Sequence, residues 1–299
     1  MRIYRWLRFI LVPVSVLTMS FSAFMVVRII TDYQKGDEVH RAISEQFVLP
    51  PKTLPPRAPE AVSEAEPGIE TPSVAPSADP QRPEETPSGT APQPSPTGTL
   101  RPPDATPTPL PETAPIAVDF DGLKRMNGDC IGWIYIPDTV VSYPVMQTDN
   151  NSRYLETLPD GTANKEGSIF MDFRSDPGLS DRNTVLYGHN MNNGSMFAVL
   201  KKYRRSTFFD THRTAYYLTP DGDYKITVFA CLTVSATGEA YDMFQRAEDL
   251  RAYIRSALPK ANASAAIDVD RVEQIFTLST CTGSFGSRIV LLGLVGRLS

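Results

Sequence analysis

Twenty of the chain's 27 prolines fall between Pro50 and Pro115. That stretch, rich also in Thr, Ser and Glu, has almost no long apolar runs. It cannot bury enough surface to offset the entropy of ordering it. It separates an N-terminal segment from a C-terminal part of about 184 residues, 116–299, which is large enough to bury a substantial core as one domain. The 50–115 stretch reads as a disordered, semi-rigid spacer of polyproline type, and its Ser and Thr residues beside prolines would allow O-glycosylation. It carries four basic and nine acidic side chains, so the whole net charge of −5 sits there. The rest of the chain is balanced, and no basic stripe points to nucleic acid as a partner.

Ahead of the spacer, nineteen uncharged and mostly apolar residues run from Phe9 to Val27, about enough to span a bilayer as a helix. Arg2, Arg5 and Arg8 precede them. The positive-inside rule makes 1–8 a cytoplasmic tail, 9–30 a transmembrane signal-anchor, and everything after it extracytoplasmic. A cleaved signal peptide is the alternative. The apolar run is longer than a usual signal-peptide core and no clear A-x-A site follows, which favours the anchor. Pro13 is tolerable inside a membrane helix. Residues 31–49 form a short juxtamembrane helical segment with a weak apolar stripe of Val39, Ala42, Ile43 and Phe47.

From about Ile116 the composition turns globular. DFDGLKRM reads as a short helix. The runs IGWIYI, YPVMQ, GSIFMDF, NTVLYGH, TAYYLTP, YKITVFACLTVSA, VEQIFTLSTC and RIVLLGLVGRL are rich in β-branched and aromatic residues and bounded by Gly, Pro, Asn and Asp, so they read as strands. MFAVLKKY and FQRAEDLRAYIRSALPK read as helices, the second with Leu250, Ile254, Ala257 and Leu258 on one face. About eight strands with few helices predict a mostly β domain closed, or nearly closed, into a barrel.

Three residues stand out chemically. Cys281 ends an apolar strand before TGSFGS, where a thiol would be reachable; alone it could equally be a small buried apolar residue. His189 ends another strand, among Gly188, Asn190, Asn192, Asn193 and Gly194. Asn190 and Asn192 either orient its ring or form turns, and turns are favoured. Arg288 opens the last strand seven residues after Cys281, a spacing that would bring it back level with the thiol across a hairpin; on its own it could be a surface arginine. Together, Cys and His supply acyl-transfer chemistry, with a thiolate to attack a carbonyl and an imidazolium to protonate the leaving amine. The guanidinium would stabilise the oxyanion. His40 and His212 lie in polar contexts and read as solvated surface residues. Cys130 and Cys231 read as buried free thiols, a disulfide between them remaining allowed outside a cell. No zinc or calcium spacing is present, and no metal or other cofactor is expected.

GWIYIP, YPVMQ, GSIFMDFR, NTVLYGHNM, MFAVL and TLSTC, in that order, resemble the class B sortases, from about Phe120 to the C-terminus. The helix around Leu250–Leu258, between the last strand pairs, strengthens that likeness over class A. The resemblance implies an eight-stranded sortase-type β-barrel with a few peripheral helices. It implies His189, Cys281 and Arg288 as catalytic residues. It implies cleavage of a C-terminal sorting signal after Thr, through a thioacyl-enzyme, and transfer to an amine. The implied partners are surface proteins or pilins carrying the signal, and a peptidoglycan precursor or pilin amine as acceptor. It further implies Asn151, Leu155, Tyr187 and Ser279 near the peptide, although turn or packing roles would also account for them, and the backbone N–H of Thr282 as a second oxyanion donor. Two features depart from the family: the short Cys281–Arg288 gap, and the long spacer, which leaves the DFDGLKRM helix to pack on the barrel in place of 31–48. A non-catalytic peptide-binding module and a hydrolytic cysteine peptidase are the alternatives.

Overall fold

The computed structural model describes residues 2–49, 113–284 and 286–298. The spacer expected over 50–115 therefore lies almost wholly outside the described residues. The chain opens with one continuous helix, α1 (Arg2–Phe47), which contains Pro13 and joins the expected membrane and juxtamembrane segments without a break. Large apolar side chains between Leu11 and Ile30 stand exposed on it. It is the one helix among the described residues long and apolar enough to cross a membrane. After it come β1 (Val48–Leu49), β2 (Ala117–Val118) and α2 (Phe120–Met126). The side chain of Asp119 caps α2 by accepting a 2.9 Å bond from the Gly122 amide, satisfying one of the N–H groups a helix start leaves open.

The domain continues through β3 (Cys130–Tyr135), β4 (Ser142–Met146), β5 (Ile169–Met171) and β6 (Asn183–Tyr187). A 3₁₀ segment (Phe197–Arg204) and α3 (Ser206–Thr211) follow. Then come β7 (Thr214–Thr219), β8 (Gly222–Ser235), α4 (Ala247–Ala257), β9 (Ala263–Ser264), β10 (Ile275–Cys281) and β11 (Ser287–Arg297). The strand order is β11-β10-β6-β5-β4-β3-β7-β8, and β11 pairs with β8 to close the ring, with β9 added beside β8. The mostly β, eight-stranded barrel expected from the sequence is thus the fold. The helix read from MFAVLKKY is the 3₁₀ segment.

Alternation along the strands divides the apolar residues between two sides. Phe276, Leu278, Ile289 and Leu291 join one cluster with residues of β3 to β8 and the 3₁₀ segment. Ile275, Val290 and Leu292 join a second with Leu250 and Ile254 of α4. The β10 residues at odd positions, Cys281 included, share the α4 side of the strand.

The end of α1 packs on the domain. Ile43 and Phe47 are buried with Leu123 of α2, Trp133, Tyr154 and Phe170. This corrects the expectation that α2 alone would serve there. It also corrects the reading of His40 as a surface residue. His40 is 4% exposed, its Nε2–H donates to Gly167 O at 3.0 Å, and its ring stands edge-on to Tyr143. His212 is half-buried and stacked on Phe208 at 3.8 Å. Gly36 lies against the carboxyl of buried Glu166, where any Cβ would overlap Oε2. Only glycine permits that approach, despite its cost of about 1 kcal/mol in a helix interior.

Glu166 makes this docking pH-sensitive. Burial raises its pKa from an ordinary 4.5 to about 7; the Ser195 hydroxyl opposes the rise and Asp37 of α1 adds to it. A raised carboxyl pKa contributes stability that is fully present below the unfolded value and lost as pH climbs through the folded one. A rise from 4.5 to about 7 corresponds to on the order of 3 kcal/mol. Glu166→Gln, which never ionises, should match the wild type in urea melts below pH 4.5 and gain on it progressively up to about pH 7. A difference that stays flat across that window would refute the assignment. His40, whose pKa burial lowers, is common to both proteins.

Candidate active site

Strand register brings the three reactive side chains together. β6 and β10 run parallel with Tyr187 opposite Ser279, and the pairing continues as the Gly188 amide donates to Ser279 O at 3.1 Å. Two residues beyond this pair lie His189, just past the end of β6, and Cys281, the last residue of β10. On the other side, antiparallel β11 places Arg288 opposite Cys281. The hairpin spacing read from the sequence returns the arginine to the level of the thiol. Gly188 is needed at the turn into His189, because a Cβ there would collide with Ile169 and Phe197.

These ends open on a cleft of about 180 Å³ lined by Cys281, His189 and Arg288, together with Asn151, Leu155, Tyr187 and Ser279. The Cys281 thiol is half-buried and free, whereas Cys130 and Cys231 are free and fully buried. Burial pushes both of those thiols up to about 12, so neither offers thiolate at neutral pH.

The His189 ring is oriented by a residue the sequence reading had not linked to it. Its Nε2 lies 2.8 Å from Leu155 O. A carbonyl only accepts, so Nε2 carries the proton and Nδ1 is the nitrogen free to gain and lose one. Asn190 pairs with Met196 across the loop, in keeping with the turn reading.

A sortase domain model matches residues 134–294. The chain belongs to the sortase family. It is 30% identical to sortase B of Staphylococcus aureus (strain NCTC 8325 / PS 47) over 184 residues, 60% of this chain and 75% of that protein. It is 34% identical to sortase B of Listeria monocytogenes serovar 1/2a over 162 residues, 53% of this chain and 65% of that one. Among solved structures, a Staphylococcus aureus sortase B–substrate complex superposes with a TM-score of 0.56 at 29% identity, over 60% of this chain and 85% of that one. A Streptococcus pyogenes class B sortase involved in pilus biogenesis gives 0.55 at 26%, over 60% and 98%. The relatives are class B members, and membership implies a cysteine transpeptidase.

One expected residue stands apart from the sortase cleft. Thr282 does not line it, and its N–H points across the β10–β11 hairpin to Ser287 O at 3.3 Å. In this structure that donor is engaged within the hairpin.

Other cleft residues went unremarked in the sequence. Tyr241, from the connection between β8 and α4, lines the cleft and shares a 2.9 Å hydrogen bond with Ser279 Oγ. Ala236 and Phe170 line it too. Asp172 and Arg174 lie behind it. Both sit in the string GSIFMDFR, whose Asp-x-Arg spacing was the available signal.

Proposed function

We propose that the chain is a class B-type sortase anchored by the apolar part of α1, with its N-terminus cytoplasmic and its barrel extracytoplasmic. Cys281 is the nucleophile, His189 the acid and base, and Arg288 the oxyanion stabiliser. The observation that carries this reading is the register at one end of the barrel, where β6, β10 and β11 deliver imidazole, thiol and guanidinium to a single cleft.

The Cys281 thiolate attacks the carbonyl carbon of the Thr in a sorting signal. A C–S bond forms, and the carbonyl oxygen takes up negative charge facing Arg288. As the C–N bond breaks, His189 gives its Nδ1 proton to the departing amine, leaving a thioacyl-enzyme and neutral imidazole. An acceptor amine then attacks the thioester, His189 takes its proton, and the C–S bond breaks to release an amide and regenerate the thiolate. Asn151, Leu155, Tyr187 and Ser279 are proposed to contact the peptide. The donors are surface proteins or pilins, and the acceptor is an amine of a peptidoglycan precursor or a pilin.

The test uses an internally quenched library of NPxT-type pentapeptides with and without a small primary amine. A Thr-containing peptide should be cleaved, and added amine should divert product from acid to amide. Acid as the sole product at saturating amine would favour the hydrolytic peptidase. Binding without cleavage or a trapped thioester would favour the inactive module.

A further inference from the structure

Behind the cleft, fully buried Asp172 accepts five hydrogen bonds. Oδ1 receives the Arg174 amide at 3.0 Å and Arg174 Nε at 2.9 Å. Oδ2 receives Arg174 Nη2 at 2.9 Å, Asn151 Nδ2 at 3.1 Å and the Tyr187 hydroxyl at 2.8 Å. Every partner is a donor, the arrangement an ionised carboxylate requires. Burial alone would raise its pKa, but the hydrogen bonds from Arg174 and Tyr187 outweigh burial and hold it below the usual carboxylate range.

Two of these partners, Asn151 and Tyr187, line the cleft. Asn151 is held at both ends of its amide. Nδ2 donates to Asp172, which can only accept, and Oδ1 accepts a 2.9 Å bond from the Phe173 N–H, which can only donate. The amide therefore has one orientation, with a single N–H and a single lone pair left over. Tyr187 spends its proton on Asp172, so its phenol oxygen can only accept from anything entering the cleft. Arg174 extends the network to Tyr241, whose ring stacks on Tyr187 in the same cleft, because Nη2 also donates to Tyr241 O at 3.1 Å and the Tyr241 hydroxyl bonds Ser279.

We infer that Asp172 is a positioning and specificity-determining residue: through Asn151 and Tyr187 it fixes the donor and acceptor pattern that the cleft wall presents to a peptide amide of the sorting signal. This rests on the proposed transpeptidase reading. Asp172 does not touch the reacting atoms, so it acts on peptide recognition more than on chemistry.

Asp172→Asn tests this without changing shape. All five bonds come from donors, so an NH₂ at the Oδ2 position confronts Asn151 and Tyr187, and one at the Oδ1 position confronts the Arg174 amide and Nε. Asp172→Ala, which removes both acceptors, releases Asn151 and Tyr187 in either case and is measured beside it. In the full-length chain, KM for the preferred pentapeptide should rise on the order of 10- to 100-fold while kcat falls less than about threefold. Iodoacetamide alkylation at Cys281, read by mass spectrometry, should stay within about twofold of wild type, which reports an intact thiol and barrel. Asp172→Asn combined with Asn151→Ala should raise KM by less than the product of the two single effects, the remaining increment being what Asp172 transmits through Tyr187. An unchanged KM, additive effects in the double variant, or loss of Cys281 alkylation alongside activity would each overturn the inference. Wild-type protein that cleaves no peptide would instead overturn the transpeptidase reading, and this inference with it.

Discussion

Replacing Cys281 with alanine is expected to lower sorting-peptide cleavage by at least about 10⁴-fold, because removing the nucleophile of a cooperative catalytic unit typically costs that much or more. The fold should not notice. The side chain is half-buried at a strand end, and its loss opens no core cavity. No second thiol can stand in, since burial pushes Cys130 and Cys231 up to about 12. The measurement is steady-state cleavage of the preferred pentapeptide beside a thermal melt. Cleavage above about one per cent of wild type in a protein melting at the wild-type temperature would remove Cys281 from the mechanism.

Deleting the end of α1 should have the largest effect on stability. A fragment beginning at residue 113 loses Ile43 and Phe47, which are 4% and 5% exposed. Each fully buried apolar side chain of this size is worth about 1.5–3 kcal/mol. The deletion also removes His40 from Gly167 O and Asp32 O from the Asn164 amide, and opens the Leu123–Trp133–Phe170 cluster to water. Relative to a fragment beginning at residue 31, the shorter one should be less stable by on the order of 4 kcal/mol in urea. Equal midpoints and slopes would show that the docked helix contributes nothing. The deletion should also disturb the His189 loop, where Asn193 donates to Asp37 at 2.8 Å and Ser195 to Glu166 at 2.6 Å. The first of these bonds ties α1 directly to the loop that begins at His189, and the second reaches it through Glu166, against which Gly36 of α1 lies.

Much of the barrel was legible because its strands are short runs of β-branched and aromatic residues with Gly, Asn and Asp between them, a pattern that reports directly on a pleated, half-buried surface. Leu250, Ile254 and Ala257 disclosed the buried face of α4 in the same way. MFAVLKKY reads as a helix from its apolar spacing, and it is a 3₁₀ helix with Phe197, Ala198, Val199, Leu200 and Tyr203 buried. His40 and residues 31–48, by contrast, misled. A weak apolar stripe beside many charges looks solvated until the surface that receives it is known, and that surface is built more than a hundred residues later, around Tyr143 and Gly167.

The sequence alone determined which chemical groups are present and which strand ends carry them. Cys281, His189 and Arg288 each stand at a punctuated strand end, and the seven-residue interval from thiol to guanidinium admits a hairpin that sets them level. Local pattern can do this because periodicity and turn residues act over a few positions. The tertiary structure decided which groups face one another across distant strands. It turned the His189 ring with the Leu155 carbonyl, occupied the Thr282 amide within a hairpin, and gathered Asn151, Tyr187 and Arg174 around Asp172. Arg174–Asp172 and Thr282–Ser287 are local, but His189–Leu155, Asn151–Asp172 and Tyr187–Asp172 join residues 34, 21 and 15 positions apart, and those partners are chosen by barrel closure and strand register.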